Sequence, residues 1–96
     1  MTVATMTPSR HEARRQLPIV LRIQALASEF DNAARWYSEF DGSHSALLAD
    51  ESKRIAAQLR CVATFIINDI YDQEQGMDWL RAGARIINAI ARSNLK

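Results

Sequence analysis

The chain has 96 residues, 48% hydrophobic and 24% charged, with three glycines and two prolines, a balance that excludes a disordered or fibrous chain and fits one small folded domain. A formal net charge of +1 excludes a molecule-wide field that would draw the protein onto nucleic acid or an anionic membrane. The lone cysteine, Cys61, excludes an intramolecular disulfide framework. No run reaches the roughly 18 apolar residues of a membrane span or forms the apolar core of a signal peptide, so a soluble, cytoplasmic protein is expected.

Residues 1–16 have no sustained hydrophobic period, contain Pro8, and carry Arg10, His11, Arg14 and Arg15 against Glu12. They read as a flexible basic arm, or a short frayed helix, ahead of a helical bundle domain over 17–96. Pro18 suits a first helical turn, because its missing N–H would be unpaired there anyway. After it, Ile19, Ile23, Leu26, Phe30, Ala33, Tyr37 and Phe40 recur at alternating spacings of four and three. Val20, Ala27 and Ala34 widen this seam into the apolar face of a bundle helix, predicted from about Pro18 to about Phe40.

The turn Asp41-Gly42-Ser43-His44-Ser45 ends that helix and supplies capping side chains for the next. Such a short connection favours an antiparallel neighbour. The second helix is predicted from about Ala46 to Asp72, with Leu48, Ile55, Leu59, Val62 and Ile66 on a seam that Ser52 interrupts. Gln73-Glu74-Gln75-Gly76 then breaks the pattern, and Asp78 reads as the N-cap of a third helix from about Trp79 to Arg92. The expected fold is all-α: an antiparallel helical hairpin plus a third helix, a three-helix bundle that dimerises.

Arg81, Arg85, Asn88 and Arg92 form one polar stripe on the third helix, and Arg60, Thr64 and Asn68 form another on the second half of the second. Almost everything else in those segments is apolar or small. A lone bundle helix keeps a wide polar face, and each large side chain left in water forgoes about 1.5–3 kcal/mol, so the excess is expected to meet another chain. The expected contact residues are Phe65, Ile67, Tyr71, Trp79, Ile86 and Ile90, with Trp36 as a rim anchor; tryptophan combines a large apolar area with an N–H that seeks a partner. Gly83, between Ala82 and Ala84, costs about 1 kcal/mol of helix propensity relative to Ala and suggests a close approach of two backbones.

No motif points to catalysis or to a cofactor. His11 and His44 lie far from Cys61 along the chain, and a reactive thiolate needs an accessible electropositive setting. Asp69, Asp72, Glu74 and Asp78 do not match the spacing of a calcium loop, and no zinc cluster, phosphate loop or dinucleotide fingerprint occurs. The expected function is that of a non-enzymatic protein-binding regulator, an adaptor, anti-activator or inhibitor, acting on a protein partner or on a second copy of itself. The alternative is a DNA-associated regulator using the basic arm with Arg81, Arg85 and Arg92 on phosphates. Against it, the long second helix and its acidic linker make a poor helix-turn-helix.

Overall fold

A computed structural model describes residues 10–94, and all regular structure among them is helical. Four helices follow in order: α1 (Arg10–Arg15), α2 (Pro18–Ser38), α3 (Ser43–Ile67) and α4 (Gln73–Asn94). The proline stands at the start of α2 as expected. Gly42 connects α2 to α3 with a φ of 124°, a conformation that side chains strongly disfavour. None of the neighbouring serines or Asp41 caps α3 through a side chain.

The direction of the helices follows from what two glycines touch. A methyl group on Gly76 would meet Ile66, Ile19 and Ile23, and one on Gly83 would meet Leu26 and Leu59. Moving up α4 therefore means moving up α2 and down α3, so α2 and α3 are antiparallel and α4 runs with α2. The core between them holds Ile19, Ile23, Leu26, Phe30, Leu59, Val62 and Ile66, with Leu80 from α4. Ser52, the break in the α3 seam, is buried, and its hydroxyl donates to the Leu48 carbonyl at 2.8 Å, which satisfies it at no expense to the core.

Two expectations need correction. The second helix stops at Ile67 and not at Asp72, because Asp69 adopts a φ of 64° and closes a left-handed turn: Ile70 N–H donates to Phe65 C=O at 2.7 Å and Asp69 N–H to Ile66 C=O at 3.1 Å. That pair of bonds is a Schellman end. The last helix begins six positions before Trp79, at Gln73. Its cap is Asp72 and not Asp78: the Asp72 carboxylate accepts from Gln75 N–H at 2.8 Å, while the Gln75 side chain accepts from Asp72 N–H at 2.9 Å. This reciprocal arrangement is a capping box, and it turns the expected breaker Gln73–Gly76 into the first turn of α4.

Within the N-terminal stretch, read as a flexible basic arm or a short frayed helix, residues 10–15 form a short helix that packs against α3; residues 1–9 lie outside the described residues. Arg14 holds the contact. Its Nε donates to the Ile66 carbonyl at 2.8 Å, adding to the bond from Asp69 N–H, and to the Ile67 carbonyl at 3.2 Å, one of the last carbonyls for which a helix has no further turn to supply a donor. Asp69 receives Arg10 at 3.0 Å and Arg14 at 3.4 Å. A guanidinium at a helix C-terminus also opposes the negative end of the helix dipole.

Candidate functional site

Helix α4 shows three faces. Gly76, Leu80 and Gly83 are buried, with Ile87 and Ile90 partly buried beyond them, and these positions form the inward seam at spacings of four, three, four and three. Gly76 and Gly83 are there for clearance: an added methyl would lie 2.5 Å from Ile66 Cδ1 and 2.7 Å from Leu26 Cδ2 respectively. Arg81, Arg85, Asn88 and Arg92 occupy the exposed outer face. On the flank toward α3 stands Trp79, exposed at 38%, with Ile86 exposed at 42% seven residues further along α4.

That flank forms one wall of an open groove of about 260 Å³ between α3 and α4. The other wall comes from α3, through Arg54, Ala57, Gln58, Cys61 and Phe65, with Val62 beneath and Tyr71 from the α3–α4 connection closing one end. Phe65 and Tyr71 meet edge to face, their ring centroids 5.1 Å apart, a favourable aromatic geometry. Cys61 is exposed within this lining. The groove exists because the short α3–α4 connection starts α4 beside the end of α3, after which the seam of α4 follows α2 and leaves the outer side of α3 bare.

The seven expected contact residues are therefore divided among three places. Phe65, Tyr71 and Trp79 meet in the α3/α4 groove, and Ile86, seven residues along α4 from Trp79, is exposed outside the groove's lining. Trp36 lies on the opposite side, where it and Ile90 line a second groove between α2 and α4 with Asn32, Ala33, Ile87 and Ala91. Trp36 stacks edge to face with Phe40 at 4.7 Å and with Tyr37 at 5.1 Å. Ile67 is not part of any exposed face. It is buried in the core, because the helix turns off immediately after it and Arg14 crosses over its carbonyl.

Sequence reasoning missed Ala57, Gln58 and Cys61 as groove residues, and it missed Leu47, the most exposed large hydrophobic side chain among the described residues at 67%. Their spacing carried the signal. Leu47, Arg54 and Cys61 recur every seven residues on the side of α3 opposite its core seam.

The charges near these surfaces are mostly satisfied locally. Arg54 pairs with Glu51 and Arg81 with Asp78 at 3.6 Å. Arg60 reaches from α3 to Asp31 on α2 at 2.5 Å. Its hydrogen bond holds the Asp31 carboxyl below the usual carboxylate range, and the same bond raises the Arg60 guanidinium. Among the described residues no group of three or more His, Cys, Asp or Glu side chains could hold a metal ion, and no helix is long and apolar enough to cross a membrane. No protein-family model, curated protein or solved structure is significantly similar to the chain.

Proposed function

We propose that this protein is a non-catalytic, protein-binding regulator that docks its α3/α4 groove onto a helix of another protein or of a second copy. It would act as an adaptor, anti-activator or inhibitor, covering or bridging its partner's helical surface. One observation carries the reading: the core is already closed by α2, α3 and the inner seam of α4, yet Phe65, Tyr71 and Trp79 line a mainly apolar channel on the outside. A helix laid into such a channel supplies the missing wall through anchors spaced three and four apart. Trp79 and Phe65 have the size and position of central anchors.

Affinity capture from an extract of the native host tests this. The wild-type protein should retain a partner that Trp79→Glu and Phe65→Glu both lose, with helicity unchanged in the Trp79 variant. Equal retention by wild type and variants contradicts the proposal, as does retention by none together with a strictly monomeric protein in solution.

A second reading rests on Arg85 and Arg92, exposed on the outer face of α4. Together with Arg81 they could contact phosphates, and duplex DNA binding that weakens steeply with salt and disappears in Arg85→Gln/Arg92→Gln would favour it. The ion pair from Arg81 to Asp78 already takes one of the three charges, which places this reading second.

A further inference from the structure

The outward face of α3 is complementary to itself. Leu47, Glu51, Arg54, Gln58, Cys61 and Phe65 follow at spacings of four, three, four, three and four, so they share one stripe along the helix, away from the buried Ala56, Leu59 and Ala63. The stripe is apolar at both ends and charged in the middle, where Glu51 and Arg54 pair. At one end Leu47 projects into solvent, 67% exposed. Toward the other, Arg54, Ala57, Gln58 and Cys61 line the groove, and positions related as i, i+3, i+4 and i+7 are the four that make a hole for a knob on a facing helix.

We infer that the occupant of the groove is a second copy of this chain, its α3 laid antiparallel, with Leu47 of each copy seated among Arg54, Ala57, Gln58 and Cys61 of the other. This inference rests on the reading of the groove as a docking face and names its partner. Two independent features choose the same register. Seating Leu47 opposite Gln58 places Glu51 opposite Arg54 of the second copy, and the two-fold axis then crosses the outer face of α3 midway between Glu51 and Arg54. The two Glu51–Arg54 pairs thereby form a ring of four alternating charges, an arrangement that fixes register and excludes the parallel alternative. In a parallel pair Arg54 would face Arg54 and Leu47 would face Leu47, with the groove left open.

The antiparallel register also brings the α2–α3 turn of the second copy level with Phe65, Tyr71 and Trp79, which covers the aromatic end of the channel. Because the interface is isologous, every contact forms twice and the assembly closes as a dimer.

Geometry at Cys61 provides the test. In this register Cys61 faces His44 of the second copy, while the two Cys61 residues stand about 25 Å apart along the helices, at 1.5 Å per residue. Sedimentation of the full chain across a dilution series should show a dimer. Mild oxidation should link His44→Cys covalently through Cys61 and leave the wild type unlinked. Leu47→Asp should give a helical monomer, since Leu47 contributes almost nothing to its own core. Glu51→Arg and Arg54→Glu should each weaken the dimer by about ten-fold, and combining them should restore it.

A dimer that survives Leu47→Asp, or that links through Cys61 alone, overturns the inference. A monomer at every concentration overturns it too. In that case retention of a host protein that still depends on Trp79 would leave the docking face intact and remove only the second copy as its occupant.

Discussion

Asp69 is the residue whose backbone the fold constrains most visibly. Its φ of 64° is costly for a β-branched side chain, by about 1–2 kcal/mol, while Asp tolerates it and collects Arg10 and Arg14. Asp69→Val is therefore expected to lower the unfolding free energy by about 1–2 kcal/mol in urea titration. Asp69→Gly should stay close to wild type, since it relieves the backbone and loses only ion pairs at an exposed carboxylate. Arg14 is different, because its side chain is only 19% exposed and it serves two helix-end carbonyls. Arg14→Ala should cost about 1–3 kcal/mol and speed amide exchange in the last turn of α3. At Asp31 the folded-state pKa is depressed by the hydrogen bond from Arg60. The stabilisation from this pair is complete above the unfolded carboxylate range and is lost as pH falls through the lowered value. Both partners are nearly half exposed, so the effect is small; Arg60→Gln should flatten that part of the acid limb in a pH series of unfolding midpoints.

At the scale of the elements, the ends of helices carry the information that periodicity does not. Asp72→Ala removes one half of a capping box and should cost about 1 kcal/mol, with the loss of helicity confined to the start of α4. Gly76→Val should cost more than Gly76→Ala, because the added atoms press on Ile66, Ile19 and Ile23 together and overpacking of this kind costs about 1–3 kcal/mol. The same residues explain what could be read in advance. The long seam from Ile19 to Tyr37 was legible, since a four-three spacing over so many residues has one explanation, and Pro18 marked its start. The capping box was not, because Gln73–Gly76 has the composition of a breaker and Gly76 looks like a turn residue when it is in fact a packing residue. Helix α3 ran too long in the sequence reading because an aspartate, and not a glycine, occupies the left-handed position. Ile67 belonged to an apolar run with no period of its own, so its inward direction depended on the C-terminal turn. Trp79 and Phe65 were legible as surplus, but their meeting in one groove depended on where α4 begins.

For the whole molecule, the packing of α4 along α2 decides what is left uncovered. Leu80, Ile87 and Ile90 turn inward, and the side of α3 bearing Cys61 and Phe65 faces out beside Trp79, with Ile86 exposed further along α4. A stability argument separates this face from the core. Trp79→Gln/Ile86→Gln should change the unfolding free energy far less than Leu59→Ala, whose buried site predicts a loss of about 2–5 kcal/mol. Cys61, within the groove, reports directly on whether the face is occupied. In dilute purified protein its thiol should be alkylated at the rate of an exposed cysteine; in the native host, where the proposed partner would cover the groove, labelling should slow several-fold, and Trp79→Glu should return it to the exposed rate. Labelling equally fast in dilute solution and in the host would contradict a docked groove.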